Sequence, residues 1–191
     1  MRFSIIYADP PWEYDNDLSG RVMNGAITYP TMSTNTIAKI PVRDIRADDS
    51  VLFMWATMPK LEDAFKVIRG WGFQYITCAF VWIKQNKSGE GIFSGMGYWT
   101  NQNAELVLLG KHGKPQRIAN NIKQVVMAPV GRHSAKPPEV RERIVQLMGD
   151  LPRVELFARD LTPGWTCLGN EVDGNDIRDS IEFLAYLSTS V

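Results

Sequence analysis

Apolar residues gather in short runs at 3–8, 51–57, 75–83, 106–109, 124–128 and 153–157. Most of these runs are continuous rather than alternating and rich in β-branched and aromatic residues, as in strands buried on both faces. Between some of them the spacing turns helical. Residues 34–40 carry it over a short stretch, Leu61, Ala64, Phe65 and Ile68 share one face of 60–71, and Val140, Ile144, Val145 and Met148 share one face of 137–148. A last helix is expected over 176–187. Gly70, Gly72 and Gly149 stand where helices should stop. Strands interleaved with helices predict a mostly parallel sheet covered on both faces, an α/β sandwich, and no internal repeat interrupts that order.

Two polar segments, 13–31 and 85–103, fit neither period and are rich in Gly, Asn, Ser and aromatic residues. Loops of that length in a compact domain are functional or disordered. Both follow the carboxyl ends of expected strands, where a doubly wound sheet holds its ligand, so the site is expected where the two loops face each other. The length of 191 residues and an apolar content of 45% suit one domain spanning 1–191 with a real core.

Charge narrows the partners. Lys plus Arg (21) equals Asp plus Glu (21), which leaves no overall basic footprint and only room for a local basic groove. Arg21, Lys84, Lys87, Lys111, Lys114 and Arg117, on or near the two loops, are candidates for such a rim. The two cysteines, Cys78 and Cys167, sit in apolar segments without a C-x-x-C pair, which argues against a disulfide framework or structural zinc. No apolar run reaches roughly 18 residues and no basic region precedes an apolar start, so neither a membrane span nor a secretory signal is read. An intracellular, cytoplasmic location is expected.

Gly89, Gly91 and Gly95 form G-x-G-x-x-x-G, one residue off the dinucleotide spacing and not followed by a helical pattern. They read as a flexible lid, because a phosphate cradle needs its glycine turn to feed a helix N-terminus. His112 and His133 are the only histidines, which argues against a His-rich metal site. The informative stretch is Asp9-Pro10-Pro11-Trp12. Two prolines fix φ and remove two backbone donors, leaving rigid carbonyl acceptors beside a carboxylate. Such a group can accept both hydrogens of an exocyclic amine, and a neighbouring Trp can stack on a base for roughly 1–3 kcal/mol. An ordinary turn anchored by a buried Trp fits the same residues. Glu155, between Val154 and Leu156, lies on an exposed edge or holds a partner, since a buried lone carboxylate is costly.

Asp9-Pro10-Pro11-Trp12 after an apolar strand resembles the catalytic motif of the amino-methyltransferases, which move a methyl group from S-adenosylmethionine to an exocyclic nitrogen of a base. Further elements narrow the resemblance to the MT-A70 family of adenine N6-methyltransferases. Tyr29-Pro30-Thr31-Met32-Ser33 resembles its Y-x-T-M-S element, Leu52-Phe53-Met54-Trp55-Ala56-Thr57 its L-F-x-W-x-T strand and Trp82-Ile83-Lys84 its W-[IV]-K strand. Ser134-Ala135-Lys136-Pro137-Pro138-Glu139 is similar to S-x-K-P-x-E, Glu155-Leu156-Phe157-Ala158-Arg159 to E-L-F-[AG]-R, and residues 165–170 to W-x-x-x-G-N. The elements run in the family's order over most of the chain.

The resemblance implies a Rossmann-like, class I methyltransferase fold in circularly permuted order, with the catalytic strand near the N-terminus and the cofactor strand at 153–157. It implies that Asp9 and the Pro10 carbonyl hold the amine, with Pro11 stiffening the motif, and that Trp12, Tyr29 and Trp99 face the target base. Ala8, Asp9, Glu155 and Phe157 would border the cofactor, Lys136 would take its carboxylate, Arg159 and Asn170 its ribose. Glu171, where the family often has Gln, would meet the adenine or ribose edge. A nucleic-acid substrate follows, with DNA favoured for a compact, nearly bare catalytic domain and RNA left open. A catalytically silent subunit of a methyltransferase complex is the alternative, and a protein partner or a homodimer is compatible with either.

Overall fold

Strand β1 (Phe3–Ala8) carries the logic of the whole sheet: Ile5 and Tyr7 enter one hydrophobic cluster and Ile6 and Ala8 another. Both faces are buried from Ile5 to Ala8, so that stretch reads as an unbroken apolar run. This computed structural model describes residues 2–14, 30–97, 99–132 and 135–189. Among the described residues, seven strands form one sheet in the order β5-β3-β4-β2-β1-β6-β7. The others are β2 (Arg46–Ala56), β3 (Gln74–Gln85), β4 (Ala104–His112), β5 (Val125–Pro129), β6 (Arg153–Leu156) and β7 (Thr166–Leu168). Helices α1 (Thr34–Ala38), α2 (Leu61–Gly70) and α4 (Ile177–Thr189) contribute Ile37, Val67 and Ile181 to the cluster on one face, and α3 (Pro138–Met148) sends Val140, Ile144 and Met148 into the other. The result is the expected three-layer, mostly parallel α/β sandwich of methyltransferase type.

Most pairings are parallel, as the alternation of strands and helices predicts, but β4 runs antiparallel to both β2 and β3. The cause is the connection. Among its described residues segment 86–103 carries no helix between β3 and β4, so no crossover turns the chain parallel and β4 returns beside its predecessor. Bridges Gln85–Ile92 and Gly95–Gln102 extend the return as a ragged antiparallel excursion. Gly89 (φ 82°) and Gly91 (φ 71°) serve its turns and feed no helix. Strand β7 escapes the sequence pattern because three residues are too few to show a period.

Helix α2 ends at Gly70, as expected, and a Cβ there would stand 2.8 Å from the Ala38 carbonyl of α1. The glycine's small size lets the two helices touch. The turn out of the helix falls to Gly72, in the left-handed region at φ 80°. No described helix is long and apolar enough to cross a membrane.

Candidate active site

Parallel strands β1, β2, β6 and β7 all release the chain at one edge of the sheet, delivering Asp9, Thr57, Phe157 and Gly169 there. The antiparallel β4 starts at that same edge and so delivers Glu105, which pairs in register with Trp82. Around these ends lies a cavity of about 740 Å³. Because β1 is flanked by β2 on one side and β6 on the other, Asp9 stands between two walls of different make.

Local hydrogen bonds set the Asp9 turn. The Trp12 amide donates to the Pro10 carbonyl (2.9 Å), and the Met32 amide donates to the Pro11 carbonyl (2.8 Å). The Glu13 amide returns a bond to the Met32 carbonyl (3.2 Å), so Trp12 and Met32 form a short parallel bridge. Trp12 is 6% exposed and packs into the core, and among the described residues no acceptor meets its indole N–H.

On the β2–β4 side charges alternate. Lys136 Nζ lies 2.7 Å from Asp9 Oδ2 and 3.4 Å from Glu105 Oε2, while Lys84 Nζ lies 2.6 Å from Glu105 Oε1. Burial would raise the Glu105 carboxyl, but Lys136 and Lys84 outweigh it and hold it below the ordinary value. Burial would lower Lys136, yet the carboxylates of Asp9 and Glu105 keep its ammonium well above the usual lysine range. For Asp9 burial prevails and pushes the carboxyl up against the pull of Lys136, which makes it the member most easily neutralised.

The β6–β7 side is built from crowded backbone. Phe157 leaves β6 with φ 61°, a left-handed conformation unusual for an aromatic residue. The Ala158 amide bonds the Leu168 carbonyl (2.9 Å), and a Cβ on Gly169 would fall 2.4 Å from the Ala158 oxygen. Only glycine lets the two exits cross so closely. Beyond the crossing, Arg159 Nε donates to Glu171 Oε1 at 2.8 Å, with both side chains partly exposed. Asp176 accepts a fork of bonds from Arg178, which holds its carboxyl down at about 2.

The cavity brings together Asp9, Pro10, Pro11, Trp12 and Lys136 with Phe157, Arg159, Asn170 and Glu171. Other expected site residues lie elsewhere. Ala8 is fully buried beneath the cavity in the core. Glu155 points to the α3 face, since Val154 and Leu156 take the opposite one, and meets the Arg141 guanidinium, whose Nε stands 2.7 Å from Oε2. The partner demanded by its burial is therefore a protein residue. Trp99 is 99% exposed and away from the cavity wall. Tyr29 lies outside the described residues, as do Arg21, His133 and Ser134. Lys84, expected on an exposed basic rim, is instead drawn inward by Glu105.

Glu105 escaped the motif reading although it carries the signal that singled out Glu155, a carboxylate inside an apolar strand. Tyr14 also lines the cavity; its hydroxyl meets Thr57 Oγ1 at 2.7 Å, and burial pushes the phenol up to about 12. No spacing rule predicts that contact, because it joins two separate strand exits.

The MT-A70 family matches the chain over residues 3–171. A type II methyltransferase, M.MunI, from Mycoplasma sp is 34% identical over 194 residues, covering 92% of this chain and 80% of its own length. The N(6)-adenosine-methyltransferase catalytic subunit METTL3 of Homo sapiens is 29% identical over 182 residues, and the METTL3 subunit of Danio rerio is 30% identical over 182. These two alignments take in 93% of this chain but only 30% and 29% of the METTL3 lengths.

Proposed function

The chain belongs to the MT-A70 family, and from that premise we propose that it transfers the methyl group of S-adenosylmethionine to N6 of adenine in nucleic acid, preferably DNA. One observation carries the reading: Asp9, in a rigid diproline turn, stands between a backbone-crowded wall and a charge-lined wall of one cavity. The preference for DNA rests on the similarity to the type II methyltransferase along most of its length. RNA is the second reading, favoured by the METTL3 relatives, of which this chain spans less than a third.

The β6–β7 wall fits the cofactor. At its Gly169 crossing the two strand exits pack backbone against backbone, which brings Phe157, Gly169 and Asn170 to the same cavity wall, and Arg159, Asn170 and Glu171 offer the polar donors and acceptors a ribose requires. Lys136, just ahead of the α3 N-terminus, would take the cofactor carboxylate on its side facing the cavity while it stays paired with Asp9 and Glu105. When bound, S-adenosylmethionine supplies a sulfonium methyl already activated for transfer. The remaining work is alignment and charge.

Asp9 and the Pro10 carbonyl accept the two N6 hydrogens and turn the nitrogen lone pair toward the methyl. Positive charge develops on N6 during attack, so the Asp9 carboxylate stabilises the transition state more than the ground state. The surplus N6 proton then leaves to solvent, and Asp9 need not be a strong base. Trp12 and the diproline hold the ring, which in a duplex must first be flipped out of the stack.

Incubating the protein with DNA or RNA and S-adenosylmethionine, then digesting to nucleosides for mass spectrometry, tests the assignment. N6-methyladenine from DNA is expected. Asp9→Ala should lower the rate by at least about 10²–10³-fold while S-adenosylhomocysteine still raises the melting temperature. Unchanged turnover by Asp9→Ala would overturn the mechanism, and absence of any ligand-induced stabilisation in the parent chain would favour a silent subunit.

A further inference from the structure

Lys84 does not line the cavity, yet it forms the outer end of the buried row of charges that reaches Asp9. The register explains how. Glu105 faces Trp82 across the β3–β4 ladder, and Lys84 lies two residues further on the same face, within diagonal reach of a long side chain. Lys84 Nζ sits 5.2 Å from the Trp82 ring centroid and Lys136 Nζ 5.4 Å from that of Trp55, and the two indoles meet edge to face at 6.1 Å. The exposures of the Lys84 and Glu105 side chains are 15% and 12%, so neither is a solvated surface charge.

We propose that Lys84 is a positioning residue for methyl transfer: by engaging Glu105 it leaves Lys136 on Asp9, and so keeps the amine-holding carboxylate charged and aimed into the cavity. The catalytic meaning rests on the adenine N6 reading above, whereas the electrostatic arrangement stands without it. Two ammoniums balance two carboxylates in the row. Without Lys84, Glu105 and Asp9 would compete for one ammonium, and a buried carboxylate that loses this contest takes a proton.

Other ionisable groups around Asp9 do not change in that comparison. They are Glu155 from β6, held by Arg141 of α3, Tyr7 from β1, and Tyr14 beyond the diproline. Burial already pushes Asp9 up and Lys136 opposes it, and Lys136 is the ammonium that Asp9 and Glu105 share.

The test is a titration of the Asp9 carboxyl carbon by NMR in the full chain, with ¹³C-labelled aspartate and the signal assigned by its loss in Asp9→Asn. In Lys84→Met the Asp9 midpoint should rise by about one pH unit or more, and Lys84→Arg should restore it. Glu105→Gln removes the competing carboxylate and should move the midpoint the opposite way, downward. The acid limb of the methylation rate should follow both shifts. An unmoved midpoint in a folded Lys84→Met chain would overturn the proposal and leave Lys84 as scaffold, and should that variant fail to fold, an unmoved or raised midpoint in Glu105→Gln would do so. Opposite shifts in a chain that methylates no adenine would uphold the charge row and overturn only its catalytic meaning.

Discussion

The two walls of the cavity solve the same problem, holding polar chemistry in a fixed place, by opposite means. On the β6–β7 side the fixing is steric: Gly169 passes against the Ala158 backbone, and the side chains beyond it, Arg159 and Glu171, pair while partly exposed. On the β2–β4 side it is electrostatic, with Lys84, Glu105 and Lys136 paired in succession out of water. The difference teaches where each wall is fragile. A steric wall fails when an atom is added, and its exposed charges are individually expendable. A buried charge row fails when an atom group is removed, because the survivor is left unpaired in a medium that cannot solvate it.

Breaking the electrostatic wall should give the largest effect. Glu105→Ala leaves two buried ammoniums with one carboxylate, and a loss of about 3–5 kcal/mol is expected in urea unfolding. A loss no larger than that of an exposed pair would dissolve the contrast. Adding an atom to the steric wall comes next. Gly169→Ala places a Cβ against backbone that cannot swing aside, so about 1–3 kcal/mol of stability should go together with affinity for S-adenosylhomocysteine, measured by calorimetry.

Removing a charge from the steric wall should matter less. Glu171→Ala is expected to change stability by no more than about 1 kcal/mol while weakening the cofactor analogue, which would separate binding from folding on this side. The smallest effect lies at Asp176. Its carboxyl is held at about 2 in the folded chain against an ordinary 3.8, so its contribution is complete above 3.8 and is lost as pH falls through about 2. Asp176→Asn should therefore be slightly less stable than the parent at pH 6, with the difference closing as the titration passes below that window.

Comparison of particular elements shows what was legible in the chain. Strand β1 and the start of α1 at Thr34 coincide with the apolar and helical patterns, because both are set by side-chain periods a few residues long. Strand β7 is too short to show a period, and the antiparallel sense of β4 is written only in its non-helical connection to β3, since the strand's own residues read the same in either direction. Asp9, Lys136, Arg159 and Asn170 were marked by motifs and meet at one cavity. Glu155 was marked with them but turns to Arg141, since its strand's pleat sends it to the face opposite Val154 and Leu156.

By itself the sequence determined the order of the strands and helices other than β7, the rigid Asp9-Pro10-Pro11-Trp12 turn and the family to which they belong. All three are short-range properties, written in residue type and spacing. Only the tertiary structure decided that Lys84 turns inward, that Glu105 stands at the same edge as Asp9, and that Lys136 joins them. Those contacts depend on which strands become neighbours and in which direction they run. Burial then converts that neighbourhood into charge pairing, because ions withdrawn from water must find one another.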